Sequence, residues 1–180
     1  MSTDAALIKR IDQTQQSVDR VSDLVSRMLL LVRLESDVTP QMQLLDIAET
    51  LYEAEISHTL NLQAHELRIT RTIAPDLPRI RANAYGLHIA LREILDNAIK
   101  ASPPGGVIEV GAGLQGNLVV ITIRDYGTGI APEDISRIFD RFFRGDRSHN
   151  LPGFGLGLSI AKLLIDQHGG LIDVVSTPGE

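Results

Sequence analysis

The sequence predicts an α+β protein, a two-layer α/β sandwich preceded by a long N-terminal helix. Apolar residues spaced alternately four and three apart run from Leu7 to Val32, which is typical of a helix packing on other helices. Helical and strand patterns alternate through the rest of the chain, and two of the strands are joined by the turn sequence GLQGN. Mixed elements with adjacent hairpin strands favour a sheet covered by helices on one face.

The composition excludes several classes of protein. With 180 residues, 43% hydrophobic and 22% charged, the chain is expected to form one globular domain and an appendage. The net charge of −6 argues against nucleic acid or an anionic membrane surface as the main partner. Absence of cysteine excludes disulfides, thiolate metal sites and cysteine nucleophiles. The longest apolar run, Met28 to Val32, is far shorter than the roughly 20 residues of a membrane span, so we expect a cytoplasmic chain without membrane contact. Whether a longer parent protein is anchored in the inner membrane stays open.

The first predicted element is the heptad helix, which widens from a stripe into a broad apolar face toward its end. Leu29, Leu31 and Leu34 add to the stripe, and this favours a helical bundle over a helix lying on its own domain. Pro40 ends the helical region, so residues 36–40 form the predicted boundary between domains 1–38 and 39–180. The stripe consists of Leu7, Ile11, Thr14, Val18, Val21, Val25, Met28 and Val32.

The second domain is predicted to contain five strands and three helices, besides a short helix start at Pro132–Glu133. Proline and glycine end the central helix at SPPGG, and Gly169–Gly170 ends the last one. The predicted helices are Asp46–Leu60, Ala84–Ala101 and the one that follows GFGLGL. The predicted strands lie in MQLL and LRITRTI, at Val107–Ala112 and Leu118–Arg124, and in LIDVVS near the end of the chain.

Three polar side chains share one face of the predicted helix 84–101. Glu93, Asn97 and Lys100 are spaced four and three apart, while the opposite side is apolar. An amide oxygen suits Mg²⁺, and an ammonium suits a phosphate oxygen. Glu93 could orient or deprotonate a nucleophile. The alternative is an amphipathic helix whose charges are merely solvated.

The sequence DYGTG places a carboxylate beside two glycines at the end of a strand. Gly127 and Gly129 would let the backbone approach a ligand closely, and Asp125 could accept a hydrogen bond from an exocyclic amine. A Pro132–Glu133 helix start follows. An ordinary turn that closes the strand is the alternative interpretation.

Glycines at 153, 155 and 157 precede the last predicted helix directly. They match neither a P-loop, because no lysine follows at the required spacing, nor a dinucleotide fingerprint, because Leu158 stands at the third glycine position. Free N–H groups at a helix N-terminus suit phosphate. The glycines also fit a second use, as hinges for the polar loop RGDRSHNLP before them.

Taken in order, EILDNAIK, DYGTG, IFDRFFRGD and GFGLGL closely resemble the ATP-binding catalytic domain of sensor histidine kinases, over roughly residues 40–180. The resemblance implies the Bergerat fold, with the nucleotide between helices over an antiparallel sheet. It implies that Asn97 binds Mg²⁺ and Lys100 a phosphate, and that Asp125 reads the adenine amino group. Further residues implied to bind ATP are Gly127, Gly129, Ile130, Phe142, Arg144, Gly153, Gly155, Leu156, Gly157 and Leu158; Phe139 and Phe143 complete the phenylalanine box.

The function implied by the resemblance is transfer of the γ-phosphoryl of MgATP to a histidine, for relay to a response-regulator receiver domain. The heptad helix resembles the second helix of the dimerisation hairpin, so a homodimer is implied in the full-length protein. The acceptor helix is not in this chain, and we expect binding of MgATP without autophosphorylation. AHELRIT, around His65, resembles the acceptor sequence by coincidence, because it follows the heptad helix instead of preceding it.

Two departures from the family pattern keep alternatives open. Glu93 stands where many histidine kinases have asparagine, and ATP-hydrolysing relatives have a glutamate that activates water, so Glu93 could serve as a base or as a Mg²⁺ ligand. The chain also ends at STPGE, before the family's final GTxF strand, which predicts an incomplete sheet edge. The alternative functions are a Bergerat-fold ATPase or anti-sigma-type serine kinase, and a non-catalytic, nucleotide-dependent dimerisation module.

Overall fold

The computed structural model describes residues 2–35, 40–145 and 153–179. It divides the chain into two compact units, residues 1–38 and 39–180, which are described separately. The predicted boundary at 36–40 falls largely on residues outside those described. Within the described residues, no helix is long and apolar enough to cross a membrane.

The first unit is helix α1, Ser2–Leu34, and the predicted N-terminal helix is therefore confirmed. Side-chain contacts within the helix include a hydrogen bond from the Thr14 hydroxyl to the carbonyl of Arg10 at 2.9 Å and the ion pair of Arg27 with Asp23 one turn earlier. Its apolar row is exposed to solvent. The exposed members of this row, which we call the α1 stripe, are Leu7, Ile11, Val18, Val21, Val25, Met28 and Val32.

The second unit is a mixed α/β structure, as the sequence predicts. Its helices are α2 (Ile47–Ile56), α3 (Thr59–Ala64), α4 (Ala84–Ala101), α5 (Pro132–Ile135) and α6 (Gly157–Gln167). Its strands are β1 (Gln43–Leu45), β2 (Arg68–Ile73), β3 (Ile80–Ala82), β4 (Val107–Gln115) and β5 (Leu118–Arg124).

The strands form a two-stranded and a three-stranded sheet. β1 pairs with β3 in antiparallel register, Gln43 opposite Ala82. The larger sheet has the order β2-β4-β5: β4 and β5 form the predicted antiparallel hairpin, while β2 runs parallel to β4. The described sheet is therefore mixed, not antiparallel as the resemblance implies, because the chain crosses over through α4 between β2 and β4 and so enters β4 in the same direction.

The core lies between the larger sheet and helices α2 and α4. Leu51 of α2, Leu95 and Ile99 of α4, and Ile108 of β4 are almost fully buried there, and burial of such side chains contributes about 1.5–3 kcal/mol each. Helix α6 packs beside α4. This packing buries the apolar side of α4.

The predicted helix 46–60 is two helices. Asp46 is the N-cap of α2, where its side chain accepts from the backbone N–H groups of Ala48 and Glu49, and α2 ends at Ile56. The buried imidazole of His58 interrupts the helix, because its Nε2 bonds to the carbonyl oxygen of Arg92 in α4 at 3.0 Å. Helix α3 then begins at Thr59.

The predicted last strand, LIDVVS, is wrong. Residues 171–176 belong to no strand, and Leu171 and Val175 are 93% and 95% exposed. A strand needs a ladder of backbone partners. Residues 171–179, which we call the tail segment, instead bond to the loop after β5: Gly179 N donates to the Thr128 carbonyl, and the Ser176 hydroxyl accepts from Ile130 N.

Candidate functional site

Contacts of Asn83 fix the start of helix α4, which carries the predicted polar residues. The Asn83 side chain caps its start by accepting from Gly86 N at 2.7 Å. The backbone N–H of Asn83 donates to Nε2 of His168, whose Nδ1 bonds to the Leu164 carbonyl in α6. This histidine joins the start of α4 to the end of α6. The predicted helix 84–101 is confirmed with both of its bounds.

The three polar residues of α4 differ in their surroundings. Glu93 is only 3% exposed, and one of its carboxylate oxygens lies 3.6 Å from Nη2 of Arg92. Asn97, one turn further, is exposed and presents its amide to solvent. Lys100 is partly buried, and its ammonium lies 2.5 Å from a carboxylate oxygen of Asp96. The helix therefore presents a buried acid, an open amide and a paired ammonium in succession.

Sequence analysis missed Asp96. It precedes Lys100 by four residues, and an acid four residues before a base on a helix is a recognised ion-pair spacing. That spacing could have identified the pair without a structure. Its consequence for the site is developed below.

Asp125 follows β5 directly and is partly buried. Its Oδ1 accepts from the backbone N–H of Gly127 at 3.0 Å, which closes a tight turn. Burial raises the pKa of Asp125 above the usual aspartate range, and the backbone hydrogen bonds partly oppose that rise. The turn fixes the orientation of the Asp125 carboxylate, which is a hydrogen-bond acceptor.

The two glycines of this loop are in close contact with other segments. A Cβ on Gly127 would lie 2.3 Å from the carbonyl oxygen of Ala101, the last residue of α4. Gly129 has a φ of +65°, and a Cβ there would lie 2.2 Å from the carbonyl oxygen of Thr177 in the tail segment. The loop that carries Asp125 and Ile130 is thus held between α4 and the tail segment.

The phenylalanine segment, residues 139–143, and the glycine segment, residues 153–157, are also joined. Phe142 N donates to the Gly155 carbonyl at 2.9 Å, and both residues have a positive φ. A Cβ on Gly155 would lie 2.5 Å from the carbonyl oxygen of Phe143, so only glycine fits. Arg144 is partly buried beside this contact. Residues 146–152, including His149 and most of the predicted hinged loop, lie outside the described residues.

The glycine segment leads into α6 beside the end of α4. Gly153 is the nearest point, since a Cβ on it would lie 3.9 Å from the Lys100 ammonium nitrogen. Leu156 is the buried N-cap residue of α6, without a side-chain cap, and Gly157 and Leu158 are the first residues of the helix. Backbone N–H groups at this end are oriented as an anion site requires.

A cleft of about 600 Å³ opens beside the phenylalanine segment. Asp134, Phe142 and Arg144 are among its lining residues, whereas Asn97 and Asp125 are not. Among the described residues that line the cleft, none belongs to α4. Phe139 and Phe143 stack with cations: Lys162 lies 5.9 Å from the ring centre of Phe139, and Arg137 lies 4.3 Å from that of Phe143.

The donor set fits Mg²⁺ only together with phosphate. Within the described ranges, no three His, Cys, Asp or Glu side chains are grouped so that they could hold a metal ion. Mg²⁺ is commonly held by one or two protein oxygens and by substrate phosphates. The exposed amide of Asn97 suits that role, while the buried Glu93 would have to act through water.

Comparison with known sequences specifies the class, because residues 82–180 match the family model of histidine kinase-, DNA gyrase B- and HSP90-like ATPases. The chain belongs to that family. The sequence-based identification is thereby confirmed, and so is the fold class.

Individual relatives show which members of the family this chain is similar to. The chain is 37% identical over 164 residues to sensor-like histidine kinase SenX3 of Mycobacterium tuberculosis, covering 89% of this chain and 40% of SenX3. It is 35% identical over 173 residues to sensor protein QseC of Escherichia coli, covering 89% of this chain and 35% of QseC. The chain thus spans well under half the length of these relatives.

Two solved structures show the same architecture. The structure of full-length ShkA in complex with AMPPNP covers 96% of this chain, with a TM-score of 0.82 and 25% identity, while this chain covers 36% of ShkA. The mycobacterial sensor histidine kinase MprB matches 72% of this chain with 30% identity and a TM-score of 0.62, over 81% of the MprB chain.

Proposed function

We propose that this chain is the ATP-binding catalytic portion of a two-component sensor histidine kinase. It would transfer the γ-phosphoryl of MgATP to a histidine outside the chain, for relay to a response-regulator receiver domain. The observation that carries this proposal is the meeting of three segments at the end of α4: Gly127 lies against Ala101, and Gly153 approaches Lys100. The similarity to sensor histidine kinases supports the same function.

Each segment would bind a different part of the nucleotide. Asp125 would accept a hydrogen bond from the adenine amino group, with Gly127, Gly129 and Ile130 beside the base. Lys100 and the N-terminus of α6 would bind phosphate oxygens, the first by charge and the second by backbone N–H groups. The site would then hold base and phosphates at fixed separation.

Catalysis would rest on positioning and charge, as in other phosphoryl transfers. Bound Mg²⁺ would neutralise charge on the phosphate oxygens, and Asn97 would hold it. Arg144 and the hinge residues Gly155 and Leu156 would keep the phosphate end of the site closed to water. The remaining requirement is an acceptor histidine brought to the γ-phosphate.

We further propose that residues 1–38 are the second helix of a dimerisation hairpin. The α1 stripe is exposed along the described helix, and such a row is stabilised by packing on further helices. The partners would be a first helix with the acceptor histidine and a second copy of the protein. His65, exposed at the end of α3 in the second unit, lies in another structural context from such an acceptor helix.

Calorimetric titration with a non-hydrolysable ATP analogue tests the proposal. Binding should occur with Mg²⁺ and weaken strongly without it, and Asn97→Ala should abolish the effect of Mg²⁺. Asn61→Ala is the matched control, because Asn61 is an exposed asparagine in α3. Absence of binding to the folded wild-type chain would refute the proposal and favour a dimerisation module without nucleotide chemistry.

The buried position of Glu93 favours a second candidate, a hydrolytic ATPase or an anti-sigma-type serine kinase. A carboxylate with 3% exposure on the polar face of α4 could activate water or a hydroxyl. Hydrolysis of ATP without any histidine acceptor, lost in Glu93→Gln, would support it. Phosphorylation of a supplied histidine-bearing hairpin that survives in Glu93→Gln would support the histidine kinase.

A further inference from the structure

The basic side chains in the polar turns of α4 are paired with carboxylates next to them. The Lys100 ammonium lies 2.5 Å from Asp96 and only partly in solvent, with side-chain exposures of 29% and 19% for the two residues. Arg92 lies 3.6 Å from Glu93. The two pairs cancel, so the α4 face as a whole carries no surplus positive charge for a polyphosphate.

The Lys100–Asp96 pair is less exposed than the Lys162–Asp166 pair. Lys162 and Asp166 in α6 have the same residue types and spacing at 3.1 Å, but both side chains are 44% exposed. Partial burial reduces screening by water, so the charge of Asp96 acts on Lys100 more strongly than the charge of Asp166 acts on Lys162. Asp96 therefore controls how much of the Lys100 charge is available to a ligand.

The pair also fixes where the ammonium lies. Asp96 draws Lys100 back along its own helix, and in this position the ammonium nitrogen is 3.9 Å from the place of a Cβ on Gly153. Without the carboxylate, a lysine side chain has more rotamer freedom to lose before it can bind a phosphate. The pair thus holds the ammonium at the glycine segment and at the same time offsets its charge.

We propose that Asp96 is a positioning residue that makes nucleotide binding depend on a divalent cation. This inference rests on the proposed ATP site and adds to it. The Asp96 carboxylate largely offsets the Lys100 charge, so ATP without metal meets an electrically balanced face. The positive charge that the polyphosphate needs then has to arrive with the nucleotide as Mg²⁺. Where asparagine replaces Asp96, Lys100 alone attracts metal-free ATP.

The test is the ratio of the dissociation constants of the ATP analogue without and with Mg²⁺, measured on the whole chain. In Asp96→Asn, metal-free binding should tighten by about tenfold, equivalent to about 1.4 kcal/mol, and the ratio should fall by a similar factor. Asp96→Glu, which keeps the charge, should restore most of the ratio. Asp166→Asn, in the exposed pair of α6, should leave the ratio at the wild-type value.

The possible results separate the inference from the proposed function. If the folded wild-type chain does not bind the nucleotide, the proposed function itself is refuted. Wild-type binding combined with an unchanged ratio in Asp96→Asn refutes only the role of Asp96. Equal weakening with and without Mg²⁺ in Asp96→Asn and Asp96→Glu would also overturn it, since that result indicates a structural role. Circular dichroism confirms folding of each variant, and Asp96→Ser replaces Asp96→Asn if the latter does not fold.

Discussion

Asp125→Asn is the change that tests the proposed adenine site most directly. The two side chains have the same shape, and an asparagine oxygen can still accept from Gly127 N, so the turn is expected to remain. The other position, an acceptor in aspartate, becomes an NH₂ donor. Facing the adenine amino group, also a donor, it leaves both groups without a partner.

The magnitude follows from that unpaired position. A buried polar group that loses its partner costs about 1–3 kcal/mol, which weakens binding by about 5- to 150-fold. Partial burial of Asp125 places the expected effect inside this range and not near zero. Affinity for a guanine nucleotide, which lacks the amino group at that position, should change less.

In the absence of nucleotide, Asp125→Asn should raise the free energy of unfolding, although it weakens ATP binding. Burial raises the pKa of Asp125 in the folded chain, so its favourable contribution is complete below the unfolded pKa of about 3.9 and is lost as the pH rises through the raised value. Near pH 7 the buried carboxylate therefore lowers the free energy of unfolding. Asp125→Asn should raise it at neutral pH and flatten its pH dependence above pH 4.

The assays are calorimetric titration with ATP and GTP analogues and denaturant unfolding from about pH 4 to 7. Asp173→Asn is the control, because Asp173 is exposed and its Oδ1 accepts from the adjacent backbone N–H of Val174. Equal ATP affinity in both variants would contradict the adenine assignment. A variant that is less stable than wild type at neutral pH would contradict the electrostatic argument.

Two further changes test how the site is held. Gly127→Ala should lose nucleotide affinity and about 1–3 kcal/mol of stability, since its Cβ would lie 2.3 Å from a carbonyl oxygen of α4, whereas Gly113→Ala, in open space on β4, should be nearly neutral in both titration and unfolding. His168→Ala removes the partner of Asn83 N and should cost about 1–3 kcal/mol in denaturant unfolding; a cost no larger than that of His65→Ala, at an exposed position, would show that the link between α4 and α6 is dispensable.

Local signals explain which elements the sequence predicted. Helix 84–101 has an apolar period of its own and is followed by two prolines, so both of its bounds were readable. The break between α2 and α3 has no such signal, because it depends on a bond from His58 to a carbonyl 34 residues away. The tail segment alternates between exposed and partly buried residues as a strand does, but its partners are loop atoms, and no local pattern reveals that.

The candidate site shows the same division. Asp125, Gly127 and Gly129 were singled out because their residue types limit what they can do, and the structure places them in one loop against α4. The sequence identified Lys100 as a cation for phosphate but not the carboxylate that offsets its charge. Pairing between side chains depends on rotamers and burial, which a motif does not specify.

The tail segment supports the loop that carries Asp125 and Ile130, and its residues can vary in evolution without a change in the proposed ATP-binding residues. Ser176, Thr177 and Gly179 contact residues 128–130, and none of them is among the residues expected to touch ATP. Sequence drift in these positions could retune the affinity for ATP to a different cellular concentration while every nucleotide-binding residue stays the same. Kinases with identical motifs need not share the same affinity for ATP.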